Sequence, residues 1–172
     1  MLKLQVAVLG VETMKTRVHA GHWRAFTLVE VMVVVAVIGL LVALVLPSFA
    51  KAREQSKISA MTEQLRMAYA AFQEYAIDYG TYPPDVNRGV TPSGMSGYLG
   101  TLNWAAPTAL GATWDWDANT EGVTAGISMV PPTQPTLTDP EYLAVDKAID
   151  DGNLSTGAFI MNGNRYTYIV EP

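Results

Sequence analysis

Hydrophobic and polar positions along the chain follow three different rules. From Phe26 to Ala50 the sequence reads FTLVEVMVVVAVIGLLVALVLPSFA, with Glu30 as its only acid and no charged residue from Val31 to Ala50. About 20 such residues are what a helix needs to cross the hydrocarbon core of a bilayer. From Lys51 polarity returns but a helical period persists. Ile58, Met61, Leu65, Ala68, Tyr69, Phe72, Tyr75 or Ala76, and Tyr79 recur three and four residues apart, and Glu63, Arg66, Gln73, Glu74 and Asp78 fill the other faces. Gly80 suits the residue just past a helix end, and Pro83-Pro84 prevents resumption. The pattern therefore predicts one helix from Phe26 to Tyr79, ~80 Å long at 1.5 Å per residue. Gly39 and Pro47 are expected to bend or loosen it midway. Its aromatic stripe reads as core packing in preference to a ligand groove.

The third regime begins at Gly80. Residues 80–111 are rich in Gly, Pro, Thr and Ser and predict a long loop, with Leu99, Leu102 and Trp104 tacking it to the core. Ala112 to Asp117 alternates, placing Trp114 and Trp116 on one face of a strand. Gly122 to Val130 is its expected partner across the turn Ala118-Asn119-Thr120-Glu121, and Pro131, Pro132 and Pro135 end the ladder. Asp139-Pro140-Glu141 opens a short helix over 139–149, with Asp139 as cap and Pro140 at its first position. A hairpin closes the chain: Ala158 to Met161 and Arg165 to Val170 flank Asn162-Gly163-Asn164. Tyr166 and Tyr168 share one face of its second strand, Thr167 and Ile169 the other. The predicted fold class is α+β: one long N-terminal helix packed on a small antiparallel sheet.

Glu30 is the position in the apolar run that asks for a reason. A carboxylate inside a membrane helix costs roughly 2.5–3.5 kcal/mol by insertion scales and is usually paired and functional. The plainer reading is an interfacial acid that caps the run. The flanking residues favour the first. Arg24-Ala25-Phe26-Thr27-Leu28-Val29-Glu30 leads directly into the apolar stretch. This resembles the processing site of type IV pilins and type II secretion pseudopilins, closely over Arg24 to Arg53 and loosely to Pro84. The resemblance implies cleavage by a prepilin peptidase between Ala25 and Phe26, N-methylation of Phe26, and an acid five residues into the mature chain. Gly usually precedes the cut in that family, so Ala25 departs from the pattern; it is small, and slower processing is the expected cost. Gly39 and Pro47 match positions where pilin helices commonly carry breakers.

On this reading residues 1–25 are a leader and not part of the fold. Met14 offers an internal start that gives the shorter basic leader MKTRVHAGHWRA, so residues 1–13 are either an upstream extension of the reading frame or a longer leader. The rest divides into an apolar filament-core helix (26–50), its amphipathic continuation (51–79), a variable loop (80–111) and a C-terminal antiparallel β domain (112–172). Charge does not orient the span: Lys15, Arg17 and Arg24 precede it, and Lys51, Arg53 and Lys57 follow it. A cytoplasmic N-terminus is what the resemblance implies. A rival exists, since Ser48-Phe49-Ala50 is a small-x-small triplet after which signal peptidase could cut. Against it, the apolar run is long for a signal peptide and Glu30 sits oddly in a basic leader.

Composition then removes whole classes of chemistry. The chain of 172 residues has no cysteine, and both histidines, His19 and His22, precede the expected cut. Ser-His-Asp triads, Cys-His pairs and ordinary zinc sites are thereby unavailable to the mature protein. No catalytic residue is assigned, and the expectation is a protein that is not an enzyme and needs no cofactor. The net charge is −5, while residues 1–25 carry Lys3, Lys15, Arg17 and Arg24 against Glu12 alone. The remainder is more acidic than the whole and offers no basic footprint for nucleic acid. Asp115, Asp117, Asn119 and Glu121 alternate as oxygen ligands do in some calcium loops, although Thr120 stands where an EF-hand needs glycine. Major pseudopilins bind calcium, which keeps these four as weak candidates against the plain alternative of a polar hairpin edge. Trp104, Trp114 and Trp116 could stack on sugars, but fold packing is the expectation, and Asp150, Asp151 and Asn153 read as a solvated helix end.

The resemblance implies a structural subunit of a helical filament, self-assembled from an inner-membrane pool after leader cleavage. Its partners would be copies of itself, the prepilin peptidase, an inner-membrane assembly platform, minor pilins or pseudopilins, and lipid before assembly. The missing disulfide, the short sheet and the single small helix tilt the expectation to a type II secretion pseudopilus over a surface pilus for adhesion, motility or DNA uptake. The filament would lie in the periplasm or on the cell surface. From a different class, residues 51–172 could act alone as a secreted or tethered binding domain.

Overall fold

The computed structural model describes residues 26–172. The leader, with Met14, both histidines and Ala25, lies outside the described residues. The described residues divide into two units, with the boundary between Val42 and Ala43. Helix α1, Leu28–Tyr79, begins in the first and ends in the second.

In the first unit the helix is apolar on every side. Each described residue from Phe26 to Val42 is exposed, and by length and composition this is a helix able to cross a membrane. An all-round apolar surface with no protein packed on it has no stable place in water, and it suits lipid or neighbouring helices.

In the second unit α1 passes through Pro47 without interruption. Neither Gly39 nor Pro47 ends the helix. Pro47 has no N–H and so deletes one helical bond, yet the helix continues through it. Further on, Met61, Leu65, Ala68, Ala71 and Phe72 bury one face against the sheet, as the spacing predicts. Two members of the stripe depart from it. Tyr69 and Tyr79 are 37% and 62% exposed. Tyr69 sets its edge on Tyr168 at 5.6 Å, and Tyr79 packs on Tyr75 at the surface, 4.5 Å between ring centres. Aromatic rings have enough reach to cover the rim of a core from its flank. The helix ends as expected: the Gly80 amide donates to Ala76 O at 2.8 Å, and φ at Gly80 is +70°.

The sheet has four antiparallel strands in the order β1-β2-β4-β3: β1 Thr113–Thr120, β2 Val123–Val130, β3 Phe159–Asn162 and β4 Arg165–Glu171. Between β2 and β3 lies α2, Pro140–Ile149. The β1–β2 turn differs from the expected one. Ala118 and Thr120 pair with Ala125 and Val123, so the connection shrinks to Glu121-Gly122, at φ 51° and 82°. Positive φ at both central residues matches the right-handed twist of the flanking strands, and an X-Gly pair supplies it more cheaply than the four-residue turn. Trp114, Trp116, Ile127, Met129 and Tyr166 face the helix and are buried; Phe72 stacks on Trp116 at 3.8 Å and Trp104 on Trp114 at 5.1 Å. The three tryptophans are thus core, at most 2% exposed. The loop is bound at several points, among them Gly89 N to Trp114 O at 2.7 Å, Trp116 Nε1 to Pro83 O at 2.9 Å and Ala109 N to Gln64 Oε1 at 2.9 Å.

Candidate functional site

The first site is built at the start of α1. Thr27 is the residue before the helix, and Glu30 is third within it. Glu30 Oε2 accepts from Thr27 N at 2.8 Å and from Thr27 Oγ1 at 2.9 Å, while Glu30 N donates to Thr27 Oγ1 at 3.2 Å. This is a capping box, in which two helix-end groups satisfy each other. Sequence reasoning considered a capping acid but missed its partner; the signal was Thr-x-x-Glu, three residues apart. Glu30 Oε2 takes both Thr27 donors, and among the described residues Oε1 accepts nothing. One carboxylate oxygen is held by the cap and the other is not; Phe26, four residues earlier, is 84% exposed. At Gly39 an added Cβ would meet no atom within 4 Å, so its smallness answers no contact inside one chain.

Residues 24–46 match the family profile described as the prokaryotic N-terminal methylation motif. In that segment and just beyond it the chain is similar to pilins and pseudopilins. The type IV major pilin protein PilA of Myxococcus xanthus is 37% identical over 65 residues, 38% of this chain and 30% of PilA. The type II secretion system core protein G of Pseudomonas aeruginosa is 38% identical over 58 residues, 34% of this chain and 41% of that protein. The type IV major pilin protein PilE of Neisseria gonorrhoeae is 31% identical over 71 residues, 41% of this chain and 42% of PilE. The chain thus spans less than half the length of these relatives. No solved structure matches it. The pilin-type segment holds Phe26, Glu30 and Gly39; Pro47 lies just past it, and Ala25, within the matched range, is outside the described residues.

The second site is polar and sits on the sheet face away from α1. Asp115 and Asp117 are buried, and Arg165 of β4 reaches both, with Nη1 at 3.1 Å and 2.7 Å; its Nη2 lies 3.4 Å from Glu121. Ser128 donates to Asp117 and shares a 2.7 Å hydrogen bond with Thr167. The structure therefore brings three of the four calcium candidates together, but around a guanidinium. Asn119, at φ 55°, is outside this group. An arginine fork between two carboxylates already supplies the positive charge such a set requires. Burial pushes Asp115 up to about 6, helped by Asp117, against the pull of Arg165 and Arg88. Arg165 was not singled out from the sequence; its place opposite two in-line aspartates depends on the strand order.

A third cluster joins the end of α2 to the loop before β3. Asp139 stands before α2, but its carboxylate does not cap the helix as expected; it accepts from Tyr166 OH and from Thr136 N at 3.2 Å. At the other end Asp146, Asp150 and Asp151 each offer an oxygen within 4.8 Å of the others. Asp146 is fully buried, and neither of its carboxylate oxygens has a hydrogen bond. Burial, then Asp150 and Asp151, push it up to about 6; the amides of Asn153 and Gly152 pull the other way without closing a bond. The signal was available: Tyr142, Val145, Asp146 and Ile149 share the apolar face of α2.

Proposed function

We propose that the chain is a structural subunit of a pilus-like filament, drawn from the inner membrane after cleavage between Ala25 and Phe26, and that the filament is a type II secretion pseudopilus. One observation carries the reading: the capping box holds Glu30 Oε2 and leaves Oε1 unbonded, four residues along the chain from the residue whose amine cleavage would free. The new cation on Phe26 then has a counter-charge on a neighbouring chain. In a bundle of apolar helices each charge alone is costly, so pairing between subunits neutralises both and sets the axial register. The exposed Val and Leu side chains of 28–46 exchange lipid contacts for helix contacts. The acidic C-terminal domain would form the outer surface. The prepilin peptidase, an assembly platform and minor subunits are the partners this requires.

Two of the three relatives are named as type IV major pilins, which supports a surface pilus as the second reading. The missing cysteines and the small sheet favour the pseudopilus. Glu30→Ala is expected to insert and to be cleaved normally, while filament yield falls about tenfold or more. Sheared-filament yield and the N-terminal mass read the two steps separately. Normal yield from that variant overturns the pairing, and an N-terminus at Lys51 overturns the filament reading in favour of a released domain.

A further inference from the structure

The basic charge of the chain is unevenly placed. Of the seven lysines and arginines after residue 25, Lys51, Arg53 and Lys57 crowd into one stretch directly after the apolar run. All three are exposed, and none is in an ion pair, since among the described residues every such pair is made by Arg165. Arg53 and Lys57, four residues apart, share one flank of α1. Glu54 lies seven residues before Met61 and so stands on the face that Met61 buries. There it lines a cleft of about 450 Å³ together with Pro131, Pro132, Pro140, Glu141 and Tyr142. No lysine or arginine lines it. The Tyr142 hydroxyl is buried and hydrogen-bonds to nothing. Its phenol is pushed up first by burial and then by Glu141 and Asp139, so uncompensated negative charge stands around the cleft.

Apolar walls with carboxylates beside them fit an arginine: the prolines take its hydrocarbon stem, and Glu54 and Glu141 take the guanidinium fork. We propose that the cleft between α1 and the start of α2 receives Arg53, with Lys57 beside it, from a neighbouring copy of this chain. The contact rests on the filament reading above and adds a second fastening to it. In that reading Glu30 of one copy meets the Phe26 amine of the next, so the two chains are offset by four residues, ~6 Å of helix. With that offset Lys51, Arg53 and Lys57 of one copy stand beside residues 55, 57 and 61 of the other, within about two helical turns of its Glu54. The two contacts differ in setting. The pairing at Phe26 lies among apolar helices, whereas this one is open to water and is weakened by salt.

The chain has no cysteine, so a crosslink can be placed without interference. Full-length chains carrying only Arg53→Cys and only Glu141→Cys are co-expressed, and their sheared filaments are oxidised. A disulfide-linked peptide joining the two positions is expected, and it can form only between copies. Arg53→Glu and Glu141→Lys should each lower filament yield about fivefold or more with the N-terminal mass unchanged, and both together in one chain should restore it to within about twofold of the parent. Thermal melting of the sheet domain checks that each variant folds. Glu54→Lys, at an exposed position, repeats the test independently of α2. A parent chain that forms no filament overturns the filament reading and this contact together. Intact filaments without the linked peptide, or normal yield from all three charge variants, overturn the contact alone. A loss in Arg53→Glu that Glu141→Lys does not rescue assigns the basic stretch to anionic membrane lipid and also overturns it.

Discussion

The two ends of α1 obey opposite rules. From Phe26 to Val42 apolar side chains are continuous in sequence and exposed in space, and the one charged group is occupied by a helix cap. From Met61 to Phe72 apolar side chains recur at helical spacing and are buried, with polar residues between them. The first stretch packs on nothing in the sheet domain and is left free for lipid or other helices; the second is spent on the core. One helix can therefore serve two functions because the period of its hydrophobic pattern changes along its length, not because its backbone does.

The contrast can be broken most strongly at Phe72. It is fully buried and stacked on Trp116, so Phe72→Ala should destabilise the sheet domain by about 3–5 kcal/mol in denaturant titrations. The matching change Val34→Ala should leave that domain within about 0.5 kcal/mol of the parent and act only on assembly. If Val34→Ala unfolds the domain, the division between the two stretches is wrong. Next in size is Arg165→Ala. Removing the guanidinium strands Asp115 and Asp117 in a buried setting, at a cost of about 3–5 kcal/mol in the same titration.

The smallest expected effect is a pH dependence. Asp115 is raised in the folded state, first by burial and then by Asp117. An acid raised on folding contributes stability that is full below its unfolded value near 4 and is lost as pH climbs through about 6. Relative to Asp115→Asn, the parent should therefore gain about 1–3 kcal/mol between pH 7.5 and pH 4.5. A flat difference across that window would place Arg165 in control of the group.

What could be read from the chain, and what could not, follows the range of the interactions. The end of α1 at Tyr79 was legible because Gly80 and Pro83-Pro84 act locally, and α2 because Asp139-Pro140 does. The stripe Met61, Leu65, Ala68, Phe72 was legible because burial of a helix face imposes its period. The alternating acids of β1 were legible as a group, but their partner was not. Arg165 lies 48 residues from Asp117, and only the β2–β4 pairing brings them together. Asp139 misled for a related reason: its sequence setting says helix cap, and the phenol of Tyr166, from a strand formed later in the chain, takes the carboxylate instead. Asp146 was legible but overlooked, since an acid is assigned to solvent by its type even where Tyr142, Val145 and Ile149 share its face. Glu30 was found, but its Thr27 bond was overlooked because attention went to what lies beyond the chain.

The stacking of Trp104 and Trp114, with Trp116 beside them on Phe72, gives the molecule an uneven optical signature. Every indole among the described residues sits in that one aromatic block, and 26–42 contains none. In a chain cut before Phe26, which loses Trp23, tryptophan emission therefore watches the folded head alone. Polymerisation through the apolar stem would proceed in the dark, and light scattering or a dye attached near Phe26 would be needed to see it.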